Sequence, residues 1–298
     1  MPFPVFYNNV ENQTLPEKLG RERMKIGLST LLFPRYSLEK AVEVCAELGA
    51  EWVEIIWDFP HFAPGCEKPD LQRIGRIIRD AGLEISVHAS FWDINPASII
   101  PEVRKTAVKR IKSGIEVCAK LDGGPVVLHA GKCPIPEVEW MWRKTGEIYE
   151  KTMKEVCAFA KRLNVKIAVE NGSSAFGPYA VLEELPELLK KFDVGICLDI
   201  GHAYLVERRR SKSPEKKIAE KIEKLCEKIV HVHVHDNRGF KDDHLVPGEG
   251  EIDFKPIVAA FWKIDYSGAL IVELFNPDEP EKIGKKGISE VRKLFRKS

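Results

Sequence analysis

The stretch VGICLDIGH (194–202) carries the pattern that decides the fold: a short apolar run, an acidic residue at its end, and a histidine just beyond. A similar pattern recurs in GPVVLHAG (124–131) and KIAVENG (166–172), whose apolar runs end at His129 and Glu170. Short runs rich in Val, Ile and Leu are typical of buried β-strands. The pattern therefore predicts strands that each deliver an ionisable side chain to one edge of a sheet.

Eight runs of this kind alternate with segments whose apolar residues recur at helical spacing. Such repeats imply parallel strands joined by right-handed crossovers, and eight strands close a barrel. We therefore predict an α/β protein with a single (β/α)8 TIM barrel. An open doubly wound sheet is the competing architecture, but it usually has a Gly-rich turn after its first strand, and GLSTLLFP (27–34) has none. The predicted strands are 25–29, 52–56, 84–88, 126–129, 167–170, 194–199, 229–235 and 269–273.

The predicted helices fill the intervals between these strands. Residues 1–23 precede the first strand and are polar, so we expect a short N-terminal extension followed by a barrel over 24–298. The opening residues have neither the basic nor the long apolar segment of a secretory signal, and no run reaches the ~18 apolar residues of a membrane span. The predicted helices are 37–49, 71–81, 102–121, 138–163, 182–192, 214–228, 254–264 and 287–295.

The overall charge and composition narrow the class of protein. With 46 basic and 45 acidic side chains the net charge is +1, which argues against nucleic-acid binding by bulk charge. The basic run 208–217, after the sixth strand, is either a solvated loop or a local phosphate-binding patch. Seven cysteines without a CxxC motif indicate free thiols and a cytoplasmic protein. Scarce Gln with abundant Lys, Arg and Glu favours a thermophilic source.

Histidine, aspartate and glutamate collect where the predicted strands end, which in a barrel is the catalytic face. Burying several carboxylates together without cations is costly, and imidazole plus carboxylate is the ligand set of Zn, Mn, Fe or Co. The cluster therefore predicts a divalent-metal site. Its members are His88, His129, Glu170, Asp199, His202, His233, His235, Asp242, His244 and Glu273.

The histidines of the seventh strand differ in their expected roles. His231, His233 and His235 alternate with valines, so all three face the barrel interior. Only the upper members of this row reach the mouth, and we therefore expect His231 to be a hydrogen-bonded interior residue. His235 is predicted to contact the substrate.

These residues, with GEGEID (248–253) and VELFNP (272–277), resemble the xylose isomerase-like TIM-barrel superfamily over about residues 84–275. The superfamily includes sugar epimerases, inosose isomerases and dehydratases, and endonuclease IV. The resemblance to its isomerase and epimerase branch implies one divalent metal, held by Glu170, Asp199, His233 and Glu273.

The resemblance to endonuclease IV implies that two further metals bind to this chain. By this similarity one ion takes His88, His129 and Glu170, and another takes His202, Asp242 and His244. The chain departs from that enzyme in HASFWDIN (88–95), which differs from the segment whose aromatic and Leu residues wedge into DNA. The resemblance thus implies one to three divalent ions of Zn, Mn or Co.

Three functions remain open from the sequence. The first is an isomerase or epimerase of a small sugar or sugar phosphate, in which Glu170 and Glu273 transfer protons through an enediolate. The second is metal-dependent hydrolysis at abasic DNA, and the third is a barrel that binds metal or ligand without catalysis. Homo-oligomers are common in this class. The predicted substrate contacts, besides His235, are aromatic or basic residues that follow the strands: Trp57, Phe59, Phe91, Trp92, Lys132, Phe176, Arg238 and Phe275.

Overall fold

A computed structural model describes residues 24–62 and 68–296. Eight parallel strands close into a barrel in chain order, with β8 paired to β1. The single (β/α)8 barrel is thereby confirmed, while the predicted extension 1–23 lies outside the described residues. The strands are Lys25–Ser29 (β1), Trp52–Ile56 (β2), Glu84–His88 (β3), Val126–His129 (β4), Ile167–Glu170 (β5), Gly195–Asp199 (β6), Ile229–Val234 (β7) and Ala269–Val272 (β8).

Helices cover the outside of the barrel. Several begin after a polar residue whose side chain caps the first turn: Ser37 caps the first helix, Asp70 the second and Asp253 the eighth. Within the described residues, no helix is long and apolar enough to cross a bilayer. The helices are Leu38–Glu47 (α1), Leu71–Ala81 (α2), Pro101–Lys120 (α3), Glu139–Arg162 (α4), Leu185–Leu189 (α5), Ile200–Arg208 (α6), Pro214–Leu225 (α7), Phe254–Lys263 (α8) and Pro280–Leu294 (α9).

The region after β6 differs from the prediction. Helix α6 was not expected, and it begins immediately after Asp199, whose Oδ1 accepts a hydrogen bond from the backbone N–H of His202. The basic run 208–217 therefore starts at the last residue of α6 and continues into α7, rather than in a loop that leaves the strand. Helix α5 is shorter than predicted, and α9 begins earlier, at Pro280, because proline suits a first helical turn.

The barrel interior is unusually polar on one side. Val127, Ala168 and Cys197 form a small apolar cluster inside it. On β2 and β7, in contrast, Glu54 and His231 are fully buried and face each other across the interior, 2.8 Å apart. The larger apolar core lies between the outer face of the sheet and the helices.

Asp236, directly after β7, organises the loop that carries the end of the predicted site. It is fully buried. Its Oδ2 accepts hydrogen bonds from the backbone N–H groups of Gly248 (2.9 Å) and Gly250 (3.0 Å), and its Oδ1 accepts from those of Asn237 (2.8 Å) and Ile252 (3.2 Å).

The backbone of Asp236 also pairs in both directions with that of Leu245. These bonds hold the segment between them in place, and that segment contains Asp242 and His244. A single buried carboxylate thus fixes one edge of the site.

We expect Asp236→Ala to lower the free energy of unfolding by at least about 3 kcal/mol, because each hydrogen bond to a charged group contributes about 1.5–3 kcal/mol and several amides lose their acceptor. The control is Asp253→Ala, which removes the cap of α8 and should cost about 1 kcal/mol. Urea denaturation of both variants measures the difference. Equal losses would contradict this role for Asp236.

Candidate metal centre

Glu170, the last residue of β5, lies at the centre of the site. Its Oε2 is 3.0 Å from His88 Nε2 and 3.1 Å from His129 Nε2, and its Oε1 is 3.1 Å from His202 Nδ1. His233 Nδ1 lies 3.7 Å from Oε2. Because Glu170 is buried, its charge is stabilised by these four imidazoles and not by water.

Three carboxylates meet at one nitrogen of His233. Its Nδ1 lies 3.4 Å from Glu273 Oε2, 3.6 Å from Asp199 Oδ2 and 3.7 Å from Glu170 Oε2. This nitrogen is buried and has no hydrogen-bond partner in the described part of the chain. An unpaired imidazole nitrogen facing three carboxylates fits the ligand preference of a divalent metal.

Two further groups flank this central one. His88 Nε2 and His129 Nε2 lie 3.2 Å apart and share Glu170 Oε2. On the other side, His202 Nε2 is 2.7 Å and His244 Nε2 is 3.4 Å from the same oxygen of Asp242. The structure therefore brings together all three sets of residues that the sequence singled out.

His235 belongs with the second flanking group. It is fully buried, its Nε2 lies 3.1 Å from both carboxylate oxygens of Asp199, and its ring stacks on that of His244 with centroids 4.2 Å apart. Together with His202 and Asp242 these two histidines place their ligand atoms within 4.8 Å of one another. His235 is not among the residues that line the cavity described below, and its contact with the substrate stays a prediction.

Backbone carbonyls orient three of these imidazoles. In each, Nδ1 lies at hydrogen-bond distance from a carbonyl, which only accepts, so the neutral ring carries its proton there. Nε2 is then the nitrogen that remains for a metal, as in known metal sites whose second ligand shell fixes the tautomer. The contacts are His88 to Ala89 (2.9 Å), His202 to Asn171 (3.0 Å) and His244 to Glu273 (2.9 Å).

Opposite shifts in pKa accompany this pairing. Burial alone would raise the pKa of Glu170, but the imidazoles of His129 and His233 outweigh burial and hold it well below its usual range. Burial opposes charge on His244 too, yet the hydrogen bond to Asp242 raises the pKa of His244 to about 9. Both shifts favour the charged form of the group concerned in the metal-free protein, and a metal that binds His244 must displace its proton.

A cavity of about 490 Å³ opens above the cluster. His129, Glu170 and Asp242 form part of its lining, so these three candidate ligands are accessible from it. The ring of Phe91 stacks on that of His129 at 5.2 Å. Of the predicted substrate contacts, the cavity is lined by Phe91, Trp92, Lys132 and Phe176.

Other predicted substrate contacts lie elsewhere. Trp57 is buried against the helix layer, where it stacks on Phe62 at 4.0 Å and its Nε1 donates to the Ser113 hydroxyl of α3. Its position directly after a strand suggested the pocket, but strand alternation turns it outward. Arg238, Phe59 and Phe275 are exposed and lie outside the cavity lining.

Sequence reasoning missed two buried carboxylates. Asp58 Oδ2 accepts hydrogen bonds from the backbone N–H groups of Phe91 and Trp92, both at 2.8 Å, and its Oδ1 lies 2.9 Å from Arg110. Asp58 thus positions the aromatic wall of the cavity. Its place just beyond a strand end, like that of the recognised residues, was an available signal.

Glu54, the second missed residue, lies 2.9 Å from His233 Nε2 through its Oε1. The available signal was a single acidic residue within the apolar run WVEII (52–56). An ionised side chain at an inward position of a buried strand requires a partner.

The barrel and the cluster at its mouth define a TIM-barrel protein with a candidate divalent-metal centre. The chain belongs to the xylose isomerase-like TIM-barrel family, whose model matches residues 42–295.

Similar proteins are known by sequence and by structure. A Methanocaldococcus jannaschii protein is 34% identical over 259 residues, which cover 84% of this chain and 83% of its own. Fructoselysine 3-epimerase of Shigella flexneri is 23% identical over 292 residues, or 91% of this chain and 98% of its own. The crystal structure of a D-tagatose 3-epimerase-like protein superposes with a TM-score of 0.76 at 30% identity, over 91% of this chain and 98% of its own.

The raised pKa of His244 gives the metal-free protein a defined pH dependence. A histidine whose folded pKa of about 9 exceeds its unfolded value of about 6.5 stabilises the fold fully below pH 6.5. That contribution is lost as the pH rises to about 9. We therefore expect the Tm of chelator-treated protein to fall over this interval, as measured by calorimetry.

The control is metal-free His244→Gln, whose Tm should fall less over the same interval because one of the titrating imidazoles is gone. A wild-type Tm that stays level or rises between these pH values would contradict the pairing.

Proposed function

We propose that the protein is a divalent-metal-dependent isomerase or epimerase of a small sugar or sugar phosphate. The observation that carries the proposal is the convergence of Glu170, Asp199 and Glu273 on the unpaired Nδ1 of His233, together with the cavity that Glu170 lines. The similarity to fructoselysine 3-epimerase and to the D-tagatose 3-epimerase-like protein supports the same reaction class.

Glu170, Asp199, His233 and Glu273 would hold the ion, taken to be Zn, Mn or Co. When bound, such an ion supplies a Lewis acid that stabilises negative charge on the substrate oxygens. The residues themselves must then move protons between neighbouring carbons, or between the two faces of one carbon.

Glu273 and Glu170 are the two carboxylates proposed for this proton transfer. One carboxylate takes the proton from the carbon next to the substrate carbonyl, and the substrate becomes an enediolate. The other carboxylate then returns a proton to this intermediate, which completes the product. Glu170 lies within 3.7 Å of four imidazoles, whereas Glu273 Oε2 lies 3.4 Å from His233 and 3.8 Å from His244. Since fewer groups hold Glu273 in place, we assign it the first proton abstraction.

The cavity wall suggests how a sugar is bound. Phe91, Trp92 and Phe176 offer aromatic faces for the apolar face of a sugar ring, and Lys132 offers a cation for a phosphate. The backbone bonds from Asp58 to Phe91 and Trp92 hold this wall in position. All four of these proposed substrate contacts lie in the lining of the one cavity.

Metal-dependent hydrolysis at abasic DNA is the second candidate function. It is favoured by one specific observation, that the two flanking groups of the centre are as well assembled as the central one. Two ions about 3.5–4 Å apart can activate water and stabilise a leaving oxygen. The near-zero net charge and the HASFWDIN segment weigh against this function.

We expect Glu273→Gln to reduce turnover by about 10²–10⁴-fold, the usual cost of losing a general base. The assay is solvent-deuterium exchange into a panel of ketoses, with Asp278→Asn in the same loop as a control of unchanged turnover. Undiminished exchange by Glu273→Gln would exclude Glu273 from the mechanism.

The double change His129→Ala with His244→Ala separates the two candidate enzymes. In a sugar enzyme the central ion should remain, while substrate binding weakens. In a nuclease both flanking positions should empty and cleavage should cease. We expect one tightly bound ion in the wild type by elemental analysis, its retention in the double variant, and no nicking of an abasic duplex by either. Two or three stoichiometric ions with metal-dependent nicking would establish the nuclease instead.

A further inference from the structure

Glu54 is a buried carboxylate on the far side of His233 from the candidate metal. It lies in the middle of β2, and its side chain is 0% exposed. Its Oε1 is 2.9 Å from His233 Nε2. Both atoms are buried and have no hydrogen-bond partner in the described part of the chain, and the ion-pair contact between them is the polar contact that the structure shows for each.

The second carboxylate oxygen of Glu54 contacts side chains of two other strands. Its Oε2 lies 2.8 Å from His231 Nε2 and accepts a hydrogen bond from the Ser86 hydroxyl at 3.0 Å. The Ser86 hydroxyl in turn accepts from Trp52 Nε1 at 3.1 Å. These contacts join three strands of the barrel, β2, β3 and β7, and leave the carboxylate little freedom to turn.

The chemistry of a carboxylate decides which nitrogen of His233 holds a proton. An ionised carboxylate only accepts hydrogen bonds, so the nitrogen that faces Glu54 must present an N–H. When the ring carries a single proton, that proton is therefore retained on Nε2. The bare nitrogen is then Nδ1, the atom on which Glu170, Asp199 and Glu273 converge.

We propose that Glu54 is a positioning residue that keeps the His233 proton on Nε2 and thereby turns Nδ1 toward the metal. The inference rests on the metal-dependent function proposed above. It assigns a role to a residue that contacts neither metal nor substrate. Outer carboxylates of this kind raise the basicity of a ligand histidine and fix its ring.

The test is Co²⁺ affinity, measured by calorimetric titration of the metal-free full-length protein. Glu54→Gln should weaken binding by about 10–100-fold, the usual cost of losing an outer-shell partner. Glu54→Asp keeps the negative charge but moves it away from His233, and we expect it to give an intermediate loss of Co²⁺ affinity. Ser86→Ala is the matched control, since it removes a partner of the same carboxylate without touching His233, and its affinity should stay close to wild type.

A second measurement does not depend on the variants folding. In the Zn²⁺-loaded wild type, ¹⁵N-histidine NMR should show a hydrogen-bonded proton on Nε2 of His233 and the metal on Nδ1. The opposite assignment, or unchanged Co²⁺ affinity in a folded Glu54→Gln, would overturn the proposal. Failure of the wild type to bind either ion would overturn both proposals. Tight Co²⁺ binding without turnover of any sugar would overturn only the proposed function, because the role of Glu54 is scored by affinity and by NMR.

Discussion

The site depends on one constraint: the buried carboxylate of Glu170 must be compensated by positively charged or hydrogen-bond-donating groups around it. Its two oxygens lie within 3.7 Å of nitrogens from His88, His129, His202 and His233. These histidines come from β3, β4, α6 and β7, and only a closed barrel brings them around one point. The same constraint accounts for the fit to a divalent metal, because an ion can replace protons as the charge that balances the carboxylates.

Groups outside the cluster determine its geometry. Backbone carbonyls set the tautomers of three imidazoles, and Glu54 lies behind the fourth at 2.9 Å. Asp236 holds the loop of Asp242 and His244, while Asp58 holds the aromatic wall. Buried carboxylates therefore act at two levels in this protein, as candidate ligands and as anchors for the segments that carry the ligands.

The fold and the family do not by themselves select a reaction. The xylose isomerase-like barrel accommodates different chemistries, because catalytic residues sit at strand ends and the loops around them vary. In this chain the central carboxylate–histidine group is the one that we propose for proton transfer on a sugar, whereas the flanking histidines could hold further ions. The number of bound ions is thus the property that separates the two candidate functions.

The sequence alone determined the barrel and most of the candidate ligands. The runs that end at His129, Glu170 and Asp199 predict both the strands and the position of the candidate metal site. The reason is that the carboxyl ends of all strands in a parallel barrel lie on the same face. Helix α6 was missed because Asp199 is at once a strand end and a helix cap, a double use that periodicity does not reveal. Only the tertiary structure decided that His235 is enclosed beside Asp199 and that Glu54 lies beside His233. The contact between Glu54 and His231 spans 177 residues along the chain. Contacts across a barrel depend on register and closure, so no local pattern in the sequence records them.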